Sequence, residues 1–170
     1  MLEVKLLTGW SYILTIDTIV FLGFLLSCLC AFYFKRESSI KISSSLYAAS
    51  YGFSYFRNEL AQTGNSFMAL DAYYLNWVLY DAVTIFSIYI LHSILKVQHS
   101  KSVVLVFCLS FINMLSYLAM HYLAFVHRYE SHWFYLVYSS TVNVTASMMI
   151  FILLFGFKYR WLLKCIPNYR

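Results

Sequence analysis

Hydrophobic positions in this chain fall into long runs separated by short polar segments. The clearest is residues 73–95, Tyr73 to Leu95, 23 residues whose one formal charge, Asp81, sits near the middle. About 20 apolar residues are what an α-helix needs to cross a bilayer core. Comparable runs cover 9–34, interrupted only by Asp17, 103–126 and 133–157. Each predicts a membrane-spanning helix. A weaker segment, 40–56, contains 15 uncharged residues between Lys41 and Arg57, which as a helix cover about 22 Å of a roughly 30 Å core. Lys41 and Arg57 can snorkel to make up the difference. Ser44, Ala48 and Gly52 recur every fourth residue there, and Gly23 and Ser27 do so in the first run. Such small-residue faces let membrane helices approach closely, which favours a short or tilted buried span over a helix lying on the surface. The longest loop is 57–71, with Gly64 and Asn65 as its turn signal.

The expected fold is therefore all-α: one domain, residues 1–170, forming a polytopic integral membrane bundle of five transmembrane helices. Charge supplies an orientation. The first run is followed by Lys35 and Arg36 and lacks the layout of a cleaved signal peptide, so it is expected to be retained. With five spans, one side holds Lys35, Arg36, Lys41, Lys96, Lys101, Lys158, Arg160, Lys164 and Arg170, and the other Lys5, Arg57 and Arg128. Omitting the second span gives a far weaker bias. The positive-inside rule then sets the N-terminus outside and the C-terminus in the cytoplasm. Residues 158–170, basic and aromatic, have the composition of a segment at the headgroup level.

Composition agrees: the chain is 62% hydrophobic and 11% charged, unlike a soluble domain. Its net charge of +5 belongs to the loops that orient it, so nucleic acid is not an expected partner; the bilayer is. A bacterial inner membrane is the expected location, from the small size and the lack of an accessible glycosylation site.

Candidate chemistry lies in the polar residues inside the runs. Counted from the outer end, Asp17 and Asp81 fall about 12 Å deep, Tyr117 about 14 Å, Asn143 about 15 Å and His121 about 8 Å. Ser110, Asn113, Tyr117 and His121 form a stripe on the fourth span, and Ser139, Asn143 and Ser147 one on the fifth. Polar stripes facing lipid are costly, so both are expected to point inward. The layer Asp17, Asp81, Asn113, Tyr117, His121 and Asn143 then has two readings. It lines a path for a cation or proton, or it is interhelical hydrogen-bonding glue.

Other chemistries are disfavoured. His92 and His121 lie near opposite ends of their spans and cannot hold one haem between them. His121, His127 and His132 with Glu130 would bind metal only if their turn folded back. No Lys within a span is available for a retinal Schiff base. Cys28, Cys30 and Cys108 are expected as buried small hydrophobes and Cys165 lies in the tail, so no disulfide framework is expected. Trp10, Tyr12, Tyr73, Tyr74, Trp77, Trp133, Tyr135, Tyr159 and Trp161 fit interfacial belts. No nucleophile and base pair, HExxH or paired-histidine spacing occurs, so no catalytic residue, metal or cofactor is assigned. Three functions follow in order: an oligomeric pore or ion- and proton-permeating protein, a non-catalytic accessory or scaffold subunit of a membrane complex, and an intramembrane enzyme or redox protein. The partner is expected to be a second copy or another membrane subunit.

Overall fold

The computed structural model describes the backbone of residues 2–62, 73–126 and 132–156, and the side chains of 18–54, 74–124 and 133–156. The described residues contain five α-helices and no strand: α1 (Leu2–Tyr33), α2 (Ser38–Gln62), α3 (Tyr73–Ile94), α4 (Lys101–His121) and α5 (His132–Phe155). The single proline, Pro167, lies outside the described residues, so no ring interrupts a hydrogen-bond ladder among the described helices. The chain continues from α4 into one π-helical turn, Tyr122–Val126.

Helices α3, α4 and α5 are long and apolar enough to cross a membrane, and α1 adds an apolar stretch, Thr18–Tyr33. These four helices carry large exposed apolar side chains: Leu22, Leu26 and Leu29 on α1, Leu79, Val83 and Phe86 on α3, Phe111 and Leu115 on α4, and Leu136 and Phe155 on α5. A surface of that kind is stable in hydrocarbon and not in water. This is a membrane protein.

The second helix, expected as a short or tilted buried helix with a small-residue face, is a continuous 25-residue helix that touches all four others. α1, α5, α4 and α3 pack in that order as an arc, and α2 fills the concave side. Ser39, Ile40, Ser43, Ser44, Tyr47, Ala48, Tyr51, Gly52 and Ser54 are all buried on it, while Phe53 is its one described large apolar residue left exposed. A helix shielded by protein does not need an apolar surface of its own. That is why its composition is too polar for a helix surrounded by lipid.

Small residues set the close approaches. A Cβ on Gly52 would stand 2.9 Å from the Phe21 ring, and one on Gly23 2.7 Å from Ile150 Cδ1. Ser27 and Ser44 are fully buried, their hydroxyls donating to the Phe24 and Lys41 carbonyls, and Ala48 is buried beside them. Of the cysteines, Cys28 and Cys30 are half-buried, but Cys108 is exposed on α4 rather than buried as expected.

The end of the bundle where α1, α3 and α5 finish is tied together. Lys35, Lys96 and Gly156 adopt left-handed conformations, with φ of 47°, 52° and 55°. At the first two, backbone bonds from Arg36 N to Ala31 O and from Val97 N to His92 O close the helix ends. Arg36 then reaches across, donating to Phe155 O at 3.0 Å and Leu154 O at 3.2 Å. These carbonyls have no partner within their own helix, and the guanidinium charge suits the negative end of the α5 dipole.

A second tie joins α2, α3 and α4. His92, 1% exposed, bonds the Ile88 carbonyl through Nδ1 and the Ser39 hydroxyl through Nε2, both at 2.8 Å. A carbonyl only accepts, so Nδ1 carries the proton and Nε2 accepts from Ser39. Ser39 Oγ in turn accepts from the Ser100 backbone N–H at 3.0 Å. Ser100 caps α4 by accepting from Val103 N. His99 stacks on His92 with ring centroids 4.3 Å apart. Partial burial, then the electrostatic influence of the stacked His92 ring, holds the His99 pKa below its ordinary value.

Candidate functional site: a buried polar cluster around Asp81

Asp81 leaves the middle of α3 and is 3% exposed. Its Oδ2 is buried with no hydrogen-bond partner among the described residues. At 1.5 Å per residue, Asp81 stands about 16 Å from the Ser39–His92–Ser100 tie, and Tyr47, Ser110 and Asn113 stand about 12 to 20 Å from it. Side chains from three further helices therefore gather at its level. From α2, Tyr47 is fully buried and its hydroxyl lies within electrostatic reach of Asp81. It is 2.6 Å from Ser110 Oγ of α4, itself fully buried. Ser110 also contacts Met149 Sδ of α5 at 3.8 Å, a weak acceptor. With that bond made, the Tyr47 hydroxyl is left to donate to Ser110, and its oxygen keeps lone pairs free to accept. Asn113, also of α4, accepts from Thr145 of α5 through Oδ1, while its Nδ2 is buried without a partner among the described residues. One turn beyond Asp81, Thr84 is buried and donates to its own helix at Tyr80 O.

Both flanks of the cluster are packed with buried apolar and aromatic side chains. Toward the capped end lie Ile88 and Val106, each 0% exposed, and then the His92 tie. Toward the other end a run of rings crosses all five helices. Phe24 of α1 packs on Tyr51 of α2 (4.5 Å), Tyr51 on Trp77 of α3 (5.9 Å), Trp77 on Tyr117 of α4 (6.0 Å) and Tyr117 on Tyr138 of α5 (5.9 Å). Trp77 was expected in an interfacial belt; it is 8% exposed and is the hub of this stack. Trp133 and Tyr135, by contrast, are exposed.

The expected layer is thus only partly assembled. Asp81 and Asn113 are both buried, on α3 and α4, at similar depth. Tyr117 is buried, but in the aromatic stack one turn above Asn113. His121 is half-buried eight residues past Asn113, near the end of α4. Asn143 does not point inward: it is half-buried, bonds Ser139 of its own helix at 3.3 Å, and Ser139 and Ser147 beside it are exposed. The α5 residue that enters the cluster is Thr145, about 200° round the helix from Asn143. The side chains of Asp17, Arg57 and His132, together with His127, Glu130 and the tail 158–170, lie outside the described residues. Among the described residues no three His, Cys, Asp or Glu side chains converge as metal ligands.

Tyr47, Ser43 and Thr145 were missed. Ser39, Ser43, Tyr47 and Tyr51 repeat every fourth residue on α2, a periodicity that marks one helical face. On α5 polar residues occupy two faces, and the longer stripe is the outward one. Ser43 Oγ, like the atoms on Asp81 and Asn113, is buried without a partner among the described residues.

No protein-family model, curated protein or solved structure matches this chain. What the cluster can do follows from its own groups. A carboxyl with an open oxygen, a phenol and an amide with an open N–H form a site of high polarity in low dielectric. A buried carboxyl with an open oxygen can take up a proton or accept a hydrogen bond, and an amide N–H can donate one.

Proposed function

We propose that this protein lets protons or a small cation cross the membrane, with Asp81 as the group that binds them. The observation that carries this is the open, buried Oδ2 of Asp81 at mid-bundle depth. A carboxylate there costs about 2.5–3.5 kcal/mol on insertion scales, and such residues mark ion and proton pathways. Dense packing on both sides favours transfer from group to group over a continuous water column. Tyr47 and Ser110 provide the neighbouring hydroxyls for it. In this arrangement α1 and α2 cross the bilayer along with α3, α4 and α5, the capped end carrying Lys35, Arg36, Lys41, Lys96 and Lys101 faces the cytoplasm, and the N-terminus is outside.

Flux from liposomes loaded with a pH-sensitive or cation-sensitive dye tests the proposal. Wild-type protein is expected to dissipate an imposed gradient, and Asp81→Asn to slow it by about tenfold or more, the size of a lost interaction with a charged group. Asp81→Glu is expected to retain flux. No flux of any ion, or Asp81→Asn matching wild type, would overturn it in favour of a non-catalytic accessory subunit.

A further inference from the structure

Asn143 is a polar group on the outer face that the bundle leaves unexplained. It lies ten residues from Trp133 and twelve from Phe155 within an apolar span, so it sits near the bilayer midplane. Its one hydrogen bond among the described residues is the contact with Ser139, although an amide offers two donors and two acceptor sites. Beside it opens a groove of about 530 Å³ between α4 and α5, which Asn143 and Ser147 line together with Leu105, Val144, Met148 and Phe151. Acyl chains would fill that groove but can neither donate to the amide nor accept from it. Headgroups and bulk water do not reach this depth. A neighbour that brings its own donor and acceptor to the midplane would satisfy the rest of the amide.

We propose that this face binds a second copy of the chain, the two Asn143 side chains pairing across a two-fold axis along the membrane normal. Two copies inserted in the same orientation place their Asn143 residues at equal depth, and an amide is complementary to itself because it donates and accepts. The interface is then isologous. Ser139 and Ser147, one turn to either side, are small enough for two α5 helices to come close and polar enough to add hydrogen bonds. Val144, Met148 and Phe151 are 57%, 47% and 52% exposed, and each copy has a groove to receive such side chains. The Asp81 cluster is not part of the contact, since Thr145 faces the opposite way, into the bundle.

The test is molar mass by light scattering in detergent and in nanodiscs over a dilution series. Wild-type protein is expected at twice its 20.0 kDa chain mass, Asn143→Leu to dissociate at least tenfold more readily, and Asn143→Gln to stay dimeric. In a background with Cys28, Cys30, Cys108 and Cys165 changed to Ser, Ser147→Cys is expected to cross-link between copies. Phe86→Cys on the exposed face of α3 is expected not to. A wild-type monomer at all concentrations, a dimer indifferent to Asn143→Leu, or cross-linking at Phe86→Cys instead of Ser147→Cys would each overturn the proposal.

Discussion

Asp81 and Asn143 sit at similar depth and face opposite environments, and their partners show why single residues matter here. Asp81 is sealed among side chains of other helices, whereas Asn143 looks outward with one weak bond to its own helix. Gly156 shows the same dependence on surroundings. Its φ of 55° is strained for any residue with a Cβ, and a Cβ there would meet Arg36 Nη1 at 2.8 Å. Gly156→Ala is therefore expected to destabilise the protein by about 1–2 kcal/mol, measured by thermal unfolding in detergent. Unchanged stability would mean that Arg36 does not hold the end of α5.

At the scale of elements, α3, α4 and α5 were legible because a helix facing lipid must be apolar along most of its length. For α2 the small-residue face of Ser44, Ala48 and Gly52 told that it is buried, but not that it touches all four other helices, because a helix surrounded by protein is free of that demand and its length is not marked by an apolar run. The site followed the same divide. Asp81 and Asn113 stand alone as polar residues in apolar runs, so depth alone located them. Tyr47 and Trp77 were hidden because sequence does not distinguish an interfacial aromatic from a core one. The Ser39–His92–Ser100 tie gives α2 its register against α3 and α4. Ser39→Ala leaves His92 Nε2 and the Ser100 N–H without partners and is expected to cost about 1–3 kcal/mol, read from the same unfolding assay. His99 adds a pH dependence. Its folded pKa is lowered, so as pH falls through about 6.5 the unfolded chain takes up the proton first. Stability present above that pH is then lost on acidification. His99→Phe is expected to flatten this loss between neutral pH and about pH 5, and an unchanged profile would exclude His99 as its source.

For the whole molecule, the two ends and the middle are built differently. One end is fixed by caps, Arg36 and the His92 tie; the opposite half is filled by rings from all five helices; between them lies the polar cluster, with its open carboxyl oxygen. A bundle that served only to hold helices together would gain from satisfying that oxygen. Leaving it open fits a group that exchanges a proton or cation. The most direct test is infrared difference spectroscopy on the protein in liposomes, titrated across the pH range in which flux is measured. A carboxyl C=O band that rises and falls in step with flux, and is absent in Asp81→Asn, is the predicted result. A spectrum with no titrating carboxyl band, or one unchanged by Asp81→Asn, would contradict the assignment of Asp81 as the ion-binding group.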